Sequence, residues 1–190
     1  MGRPDLHLVN ATDEIERHFR SVMRRLAGGV SIITAGHGDD ITGMTVTSLT
    51  CLSAAPPRLL VSINRRASSF ALIDRHRLFG VNILGSHQQE LAARFSNIEL
   101  EGRQRFEGIS WFGGSAGVPL LRNALATVEC RVEEIIERHS HGIVVGSLLS
   151  FDLSHRLSGL VYWDGEYVEI DRDGDLDVLA QVGVPLAHVR

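Results

Sequence analysis

β-Rich runs follow one another along this chain with little helix between them: "VSIITAG", "GMTVTSLTCLSAAPPRLLVSI", "LFGVNIL", "ATVECRVEEIIERHS", "GIVVGSLLSFDL" and "LVYWDGEYVEI". That order lacks a regular strand-helix-strand repeat and disfavours a doubly wound parallel sheet. It favours an antiparallel barrel or sandwich decorated with helices, a mainly β fold. In the last run Asp164-Gly165 separates two β-rich halves, and this pair suits a hairpin turn whose central residues both take positive φ.

Helical spacing marks the remaining segments. Over residues 13–27, Ile15, Phe19, Val22, Met23 and Leu26 form one apolar stripe. Asp13 with Glu16 resembles a capping box, and Gly28-Gly29 is expected to end the helix. Shorter helices fit "SSFALIDR" and "HQQELAARFS", the second with Leu91, Ala92 and Phe95 in register. "EGRQRFEGISWFGGSAGVPLL" reads as a long excursion over the surface. Residues 13–170 are expected to form one domain, and 171–190 a tail that is either a short helix or a loosely held end.

A chain of 190 residues with 44% hydrophobic and 22% charged side chains can bury a real core and belongs to the globular class. Its apolar runs fall short of the roughly 18 residues of a membrane helix. The start has no signal-peptide core, so a cytoplasmic protein without membrane contact is expected. Every fixed cation is an arginine, since there is no lysine. The arginines form no run interleaved with aromatics, so nucleic acid is not an expected partner. Any side-chain cation that meets a phosphate must then be an arginine. Cys51 and Cys130 lie far apart without a C-x-x-C and read as reduced thiols.

Within "GMTVTSLTC", Met44 and Val46 share one side of an alternation and Thr45 and Thr47 the other; the apolar positions then become Leu49 and Cys51. Such a parity slip predicts a bulge or bend near Thr47 and Ser48, with free N–H groups beside short hydroxyls. Gly113 to Gly117, "GGSAG", matches a nucleophile elbow at Ser115, but no strand-turn-helix context surrounds it. "DRDGDLD" spaces its acids like a calcium loop yet has Leu176 where the turn glycine belongs. No G-x-G-x-x-G occurs. His139 and His141 are two apart, a spacing that on a strand puts both imidazoles on one face. Further ligands would have to come from His76, His87 or His155, and no motif ties them together, so no metal is expected.

Taken in order, "FRSVMRRLAGGVSIITA", "GMTVTSLTCLSAAPPRLLVSINRRASSF", "FGVNILGSHQQELAARFS", "FEGI", "HSHGIVVGSL" and "LVYWDGEY" resemble the short-chain flavin reductases. These are the reductase components of two-component flavin-dependent monooxygenases, and the resemblance runs from about Phe19 to Tyr167. It implies a split β-barrel with Greek-key connections, a homodimer, and reduction of FMN, FAD or riboflavin by NADH or NADPH. A separate monooxygenase is the implied partner. The same resemblance implies roles for particular residues. Thr45, Val46, Thr47 and Ser48 line the isoalloxazine edge, Ser62, Ile63 and Asn64 approach the flavin, and Ser68 and Ser69 hold its phosphate at a helix start. Arg94, Phe95 and Ser96 contact the ribityl-phosphate region, with Arg94 as the cation. His141, the catalytic candidate, positions the nicotinamide, with Gly142, Ile143 and Val144 behind it and Tyr167 closing that side. Ser140 stands where many members carry an acid. Arg65 and Arg66 either meet the extra phosphate of NADPH or face water. Two other readings stay open: a barrel that holds flavin tightly and acts on another substrate, and a non-catalytic flavin- or haem-binding module.

Overall fold

The structure is a computed structural model that describes residues 12–171. The expectations for residues 172–190 lie outside the described residues, as does the side chain of Asp13. Helix α1 (Thr12–Met23) leads into β1 (Gly28–Gly29), β2 (Ser31–His37), β3 (Asp40–Val46), β4 (Thr50–Ala54) and β5 (Pro57–Asn64). Next come α2 (Ser68–His76), β6 (Leu78–Ile83), α3 (Gln89–Ser96), β7 (Trp111–Gly113) and β8 (Pro119–Leu121). The chain then runs through β9 (Ala126–Arg138), β10 (His141–Leu153), β11 (Ser158–Trp163) and β12 (Glu166–Asp171). α1 stops short of the expected end, and Gly28–Gly29 instead pairs with Val161 and Tyr162 of β11.

The principal sheet is antiparallel, in the order β3-β2-β6-β9-β10-β5-β4. Its two edges, β3 and β4, are consecutive in sequence and joined by Thr47, Ser48 and Leu49 alone. So short a link spans at most about 14 Å, whereas a flat sheet of this width measures about 29 Å from edge to edge. The sheet must therefore curl until its edges approach. Among the described residues no ladder joins β3 to β4, so the cylinder stays open on that line, which makes it a split barrel. Of the bulge or bend expected near Thr47 and Ser48 the structure has the bend: the alternation changes parity because the chain leaves one edge at Val46, turns at Thr47 and re-enters at the other edge at Thr50. The Ser48 hydroxyl helps hold the gap, donating to Ser62 O at 2.8 Å.

β2 explains how two packed layers form. Ile33 and Ala35 belong to the barrel core with Val61, Ile63, Phe79, Val81, Cys130 and Val144, which α2 closes with Phe70 and Ile73. Ile32 faces the other way, onto Ile41, Leu84, Phe95, Phe106, Leu121 and Leu160. A strand buried on both faces is largely apolar, as "VSIITAG" is, with Ser31 and Thr34 as its buried polar residues. Residues 101–121 are thus no loose surface excursion: Phe106, Leu120 and Leu121 are buried, and Thr34 donates its hydroxyl to Pro119 O. On β10, Gly142 and Gly146 leave room for aromatic rings. A Cβ at Gly142 would stand 2.3 Å from the Phe70 ring, and one at Gly146 2.6 Å from Phe79. Asp164 and Gly165 have φ of 51° and 96° and turn β11 into β12, as expected from the pair.

Candidate active site

Three elements meet where the barrel is split. β3 supplies Thr45, whose hydroxyl donates to Ala92 O at 2.6 Å and so ties the strand to α3. α2 is tied to the same strand by its first two residues. Ser69 is buried with its hydroxyl on Met44 Sδ at 2.9 Å, and the Ser68 and Thr42 hydroxyls lie 3.1 Å apart. The chain enters α2 through a tight turn, in which Asn64 Oδ1 accepts the Arg66 N–H at 3.0 Å and Asn64 O accepts the Ala67 N–H at 3.0 Å. Ala67, the N-cap, brings no side-chain acceptor, so the first N–H groups of α2 open into the space in front of them.

That space is a cleft of about 890 Å³, bounded by Met44 and Thr45, by Arg66 to Ser69, by Phe95 and Ser96, and by Ile98, residues 100–105 and Glu107. A smaller hollow of about 240 Å³ continues from it, sharing Thr45 and Ser96 and adding Val46, Thr47, Tyr162 and Tyr167. The two tyrosine rings meet edge to face at 5.3 Å. Burial pushes the Tyr167 phenol above its ordinary pKa, against a lowering hydrogen bond from Ser96. On the other side Arg66 also borders a hollow of about 580 Å³ lined by Asn64, Arg65, Phe70, His139 and Ser140.

His141 opens β10 directly opposite Asn64 of β5, exposed, with Nδ1 2.9 Å from the Ser140 hydroxyl. His139 does not share its face. It sits in the preceding turn with φ of 52°, so the strand geometry that would pair the two imidazoles is absent. Gly142, Val144 and Ile63 are buried in the core and can offer a ligand only backbone atoms, while Ser62, Asn64 and Ile143 lie on the outward side. Ser69 likewise has its hydroxyl engaged and keeps only its N–H for a ligand.

The arginine expected to serve as cation is committed elsewhere. Arg94 donates from Nε to Arg105 O and from Nη2 to Gln104 O, both at 2.8 Å, and so fixes the wall of residues 101–106. Arg105 in that wall donates to Phe95 O at 2.8 Å, and its Nε is buried without a partner among the described residues. Burial lowers the Arg105 pKa, with Glu101 acting to raise it. Sequence reasoning missed Arg105 and Met44 because their partners come from other elements. Ser115, dismissed as a nucleophile, donates to the carboxylate of buried Glu129.

This donor set suits a phosphorylated, planar ligand: an uncapped helix start and the Ser68 hydroxyl for an anion, and hydroxyls with two tyrosines beyond. The cleft has the volume of a cofactor site. Fold and cleft together define a split-barrel protein of the kind that takes a flavin-sized ligand. Residues 23–171 match the flavin reductase like domain, and the chain belongs to that family of oxidoreductases. It is 30% identical over 155 residues to FMN reductase (NADH) RutF 2 of Rhizobium rhizogenes, covering 82% of this chain and 89% of the relative. It is 31% identical over 157 residues to HsaB, the reductase subunit of a flavin-dependent monooxygenase of Rhodococcus jostii, covering 83% of this chain and 79% of HsaB. Among solved structures it resembles BorF, the flavin reductase component of a bacterial two-component tryptophan halogenase. The TM-score is 0.77 at 32% identity, over 82% of this chain and 98% of BorF.

Proposed function

We propose that the protein is an NAD(P)H:flavin oxidoreductase that transfers hydride from NADH or NADPH to FMN or FAD and supplies reduced flavin to a separate monooxygenase. The observation that carries this reading is the convergence of Thr45, Ser68 and Ser96 from β3, α2 and α3 on one cleft beside an uncapped helix start. A relative named FMN reductase (NADH) and another named as a monooxygenase reductase subunit support it. Bound flavin supplies the two-electron acceptor. The chain's own groups do the rest. Ser68 and the first N–H groups of α2 bind phosphate. The segment from Thr45 to Ser48, pinned by the Thr45–Ala92 and Ser48–Ser62 bonds, presents fixed donors to the ring edge. Ser62, Ile63 and Asn64 approach that edge from β5, and Phe95 with Ser96 borders the ribityl chain. His141 orients the nicotinamide; its role is positional, because hydride transfer between stacked rings depends on close alignment. Tyr167 closes the ring end.

In this reading residues 13–170 are the reductase domain and 171–190 a tail. The apolar stripe of α1 lies uncovered, with Phe19 61% exposed, and the end of β10 exposes Leu149, Phe151 and Leu153. Apolar surface of this kind is ordinarily covered by a partner, and a second copy of the chain is the proposed one. A cytoplasmic site suits an enzyme fed by NAD(P)H; no helix among the described residues is long and apolar enough to cross a membrane.

The test is oxidation of NADH and of NADPH by purified protein, with FMN, FAD or riboflavin added in turn and a control without flavin. Consumption that rises and saturates with added flavin is expected. No oxidation with any pair, by protein that still binds flavin, would leave a binding module and end the reductase reading.

A further inference from the structure

We propose that Arg66 is the residue by which this cleft selects phosphorylated flavins, through the 5′-phosphate that FMN and FAD share; the proposal rests on the reading of the cleft as a flavin site. The argument is one of elimination among cations. Without lysine, the cation must be an arginine. Arg94 spends Nε and Nη2 on the carbonyls of Arg105 and Gln104. Arg103 is paired with Asp39 at 3.0 Å and donates to Gly38 O at 3.1 Å. Arg65 is paired with Glu137 at 2.6 Å and reaches His139 O at 3.4 Å. Arg105 is held by Phe95 O, with its Nε shut inside the wall.

Arg66 differs from all of these. Its guanidinium is exposed and makes no hydrogen bond or ion pair with any other described residue. Its backbone, by contrast, is fixed by Asn64 Oδ1, and α2 begins at Ser68 immediately beyond. A free fork on an ordered base thus stands beside the Ser68 hydroxyl and the open N–H groups, at the rim of the cleft. Guanidinium matches phosphate oxygens two at a time, which an N–H group alone does not. Arg66 also borders the hollow by Asn64, where the extra phosphate of NADPH is the rival ligand. There the other fork, Arg65, is already taken by Glu137, and Ser68 does not line that hollow as it lines the cleft, so the flavin phosphate is the better match.

The experiment titrates flavin-free wild type and Arg66→Gln with FMN, FAD and riboflavin, following quenching of flavin fluorescence, with thermal unfolding to verify the fold. Wild type is expected to bind FMN more tightly than riboflavin. Arg66→Gln should weaken FMN and FAD by about tenfold and riboflavin by less than about twofold, the effect of one charge-assisted contact. Unchanged FMN affinity in the variant overturns the proposal, as does an equal loss for FMN and riboflavin. An altered preference between NADPH and NADH at unchanged flavin affinity also overturns it, assigning Arg66 to the dinucleotide. Wild type that binds no flavin at all removes the underlying reading as well, and that outcome is distinct from the others.

Discussion

Asn64 and His141 stand directly opposite each other at the ends of β5 and β10, both exposed, and the His141 ring is held from behind by the Ser140 hydroxyl at 2.9 Å. The next position on β10, Gly142, is buried, so by alternation the exposed histidine points outward and adds little packing. His141→Ala should therefore leave the melting temperature unchanged. It should raise KM for the nicotinamide substrate by about tenfold and KM for flavin by less than about twofold. Steady-state kinetics with each substrate varied in turn gives the answer. An unchanged nicotinamide KM takes His141 out of the site.

Gly142 is required by Phe70. A methyl group there would sit 2.3 Å from the ring, which is under α2 and in the barrel core. Gly142→Ala should destabilise the fold by about 1–3 kcal/mol through overpacking. Phe70→Leu, which empties that space, should recover part of the loss in the double variant, and urea denaturation of all four proteins gives the coupling. Additive costs would mean that the two positions do not compete for the same volume.

How much of this was legible in the sequence depends on how far apart the partners lie. Asp164-Gly165 announced its hairpin because a turn is decided by the residues in it. The succession of strands was legible for the same local reason. The sheet order was not: "TVTSLTC" looks like one strand with a slip, and only the approach of both sheet edges makes it two. The hydroxyls from Thr45 to Ser48 stood out in the sequence, yet Thr45 is bonded to Ala92 and Ser48 to Ser62, partners that no local pattern names. Arg94 was the cation that the family resemblance implied in a chain without lysine. Its Nε and Nη2 are taken by carbonyls of the wall between α3 and β7, and that wall was read as an excursion over the surface.

A second copy of the chain should cover the end of β10. Phe151 is 73% exposed and lies close in sequence to the exposed Leu149 and Leu153. Phe151→Glu puts a charge where burial in an interface would require an apolar group, and an unpaired buried charge is costly. The variant should run as a monomer in sedimentation, while wild type runs as a dimer. It should remain folded, because Phe151 contributes little to either core cluster. A monomeric wild type would show that the apolar end of β10 is simply solvated.

Glu129 is fully buried, yet its carboxylate is held by Ser115 Oγ, by the Ala116 N–H at 2.9 Å, by the Val118 N–H at 3.4 Å and by Ser150 Oγ at 3.2 Å. Burial pushes its pKa up, but these donors together outweigh burial, and the group titrates below the ordinary value of 4.5. A carboxyl whose folded pKa is depressed contributes stability that is fully present above its unfolded pKa and fades as pH falls through the folded value. Glu129→Gln has no charge to lose and turns an amide N–H₂ toward groups that are themselves donors. At neutral pH it should be less stable than wild type by about 2 kcal/mol, the scale of hydrogen bonds to a charged acceptor. Below about pH 4.5 the gap should narrow, because wild type protonates and forfeits the contribution that the variant never had. Urea unfolding of both proteins across this range measures it. A gap that stays constant down to about pH 3 would mean that the shape of the glycine turn from Gly113 to Gly117, and not the charge it cradles, holds the antiparallel pair of β7 and β8 to β9.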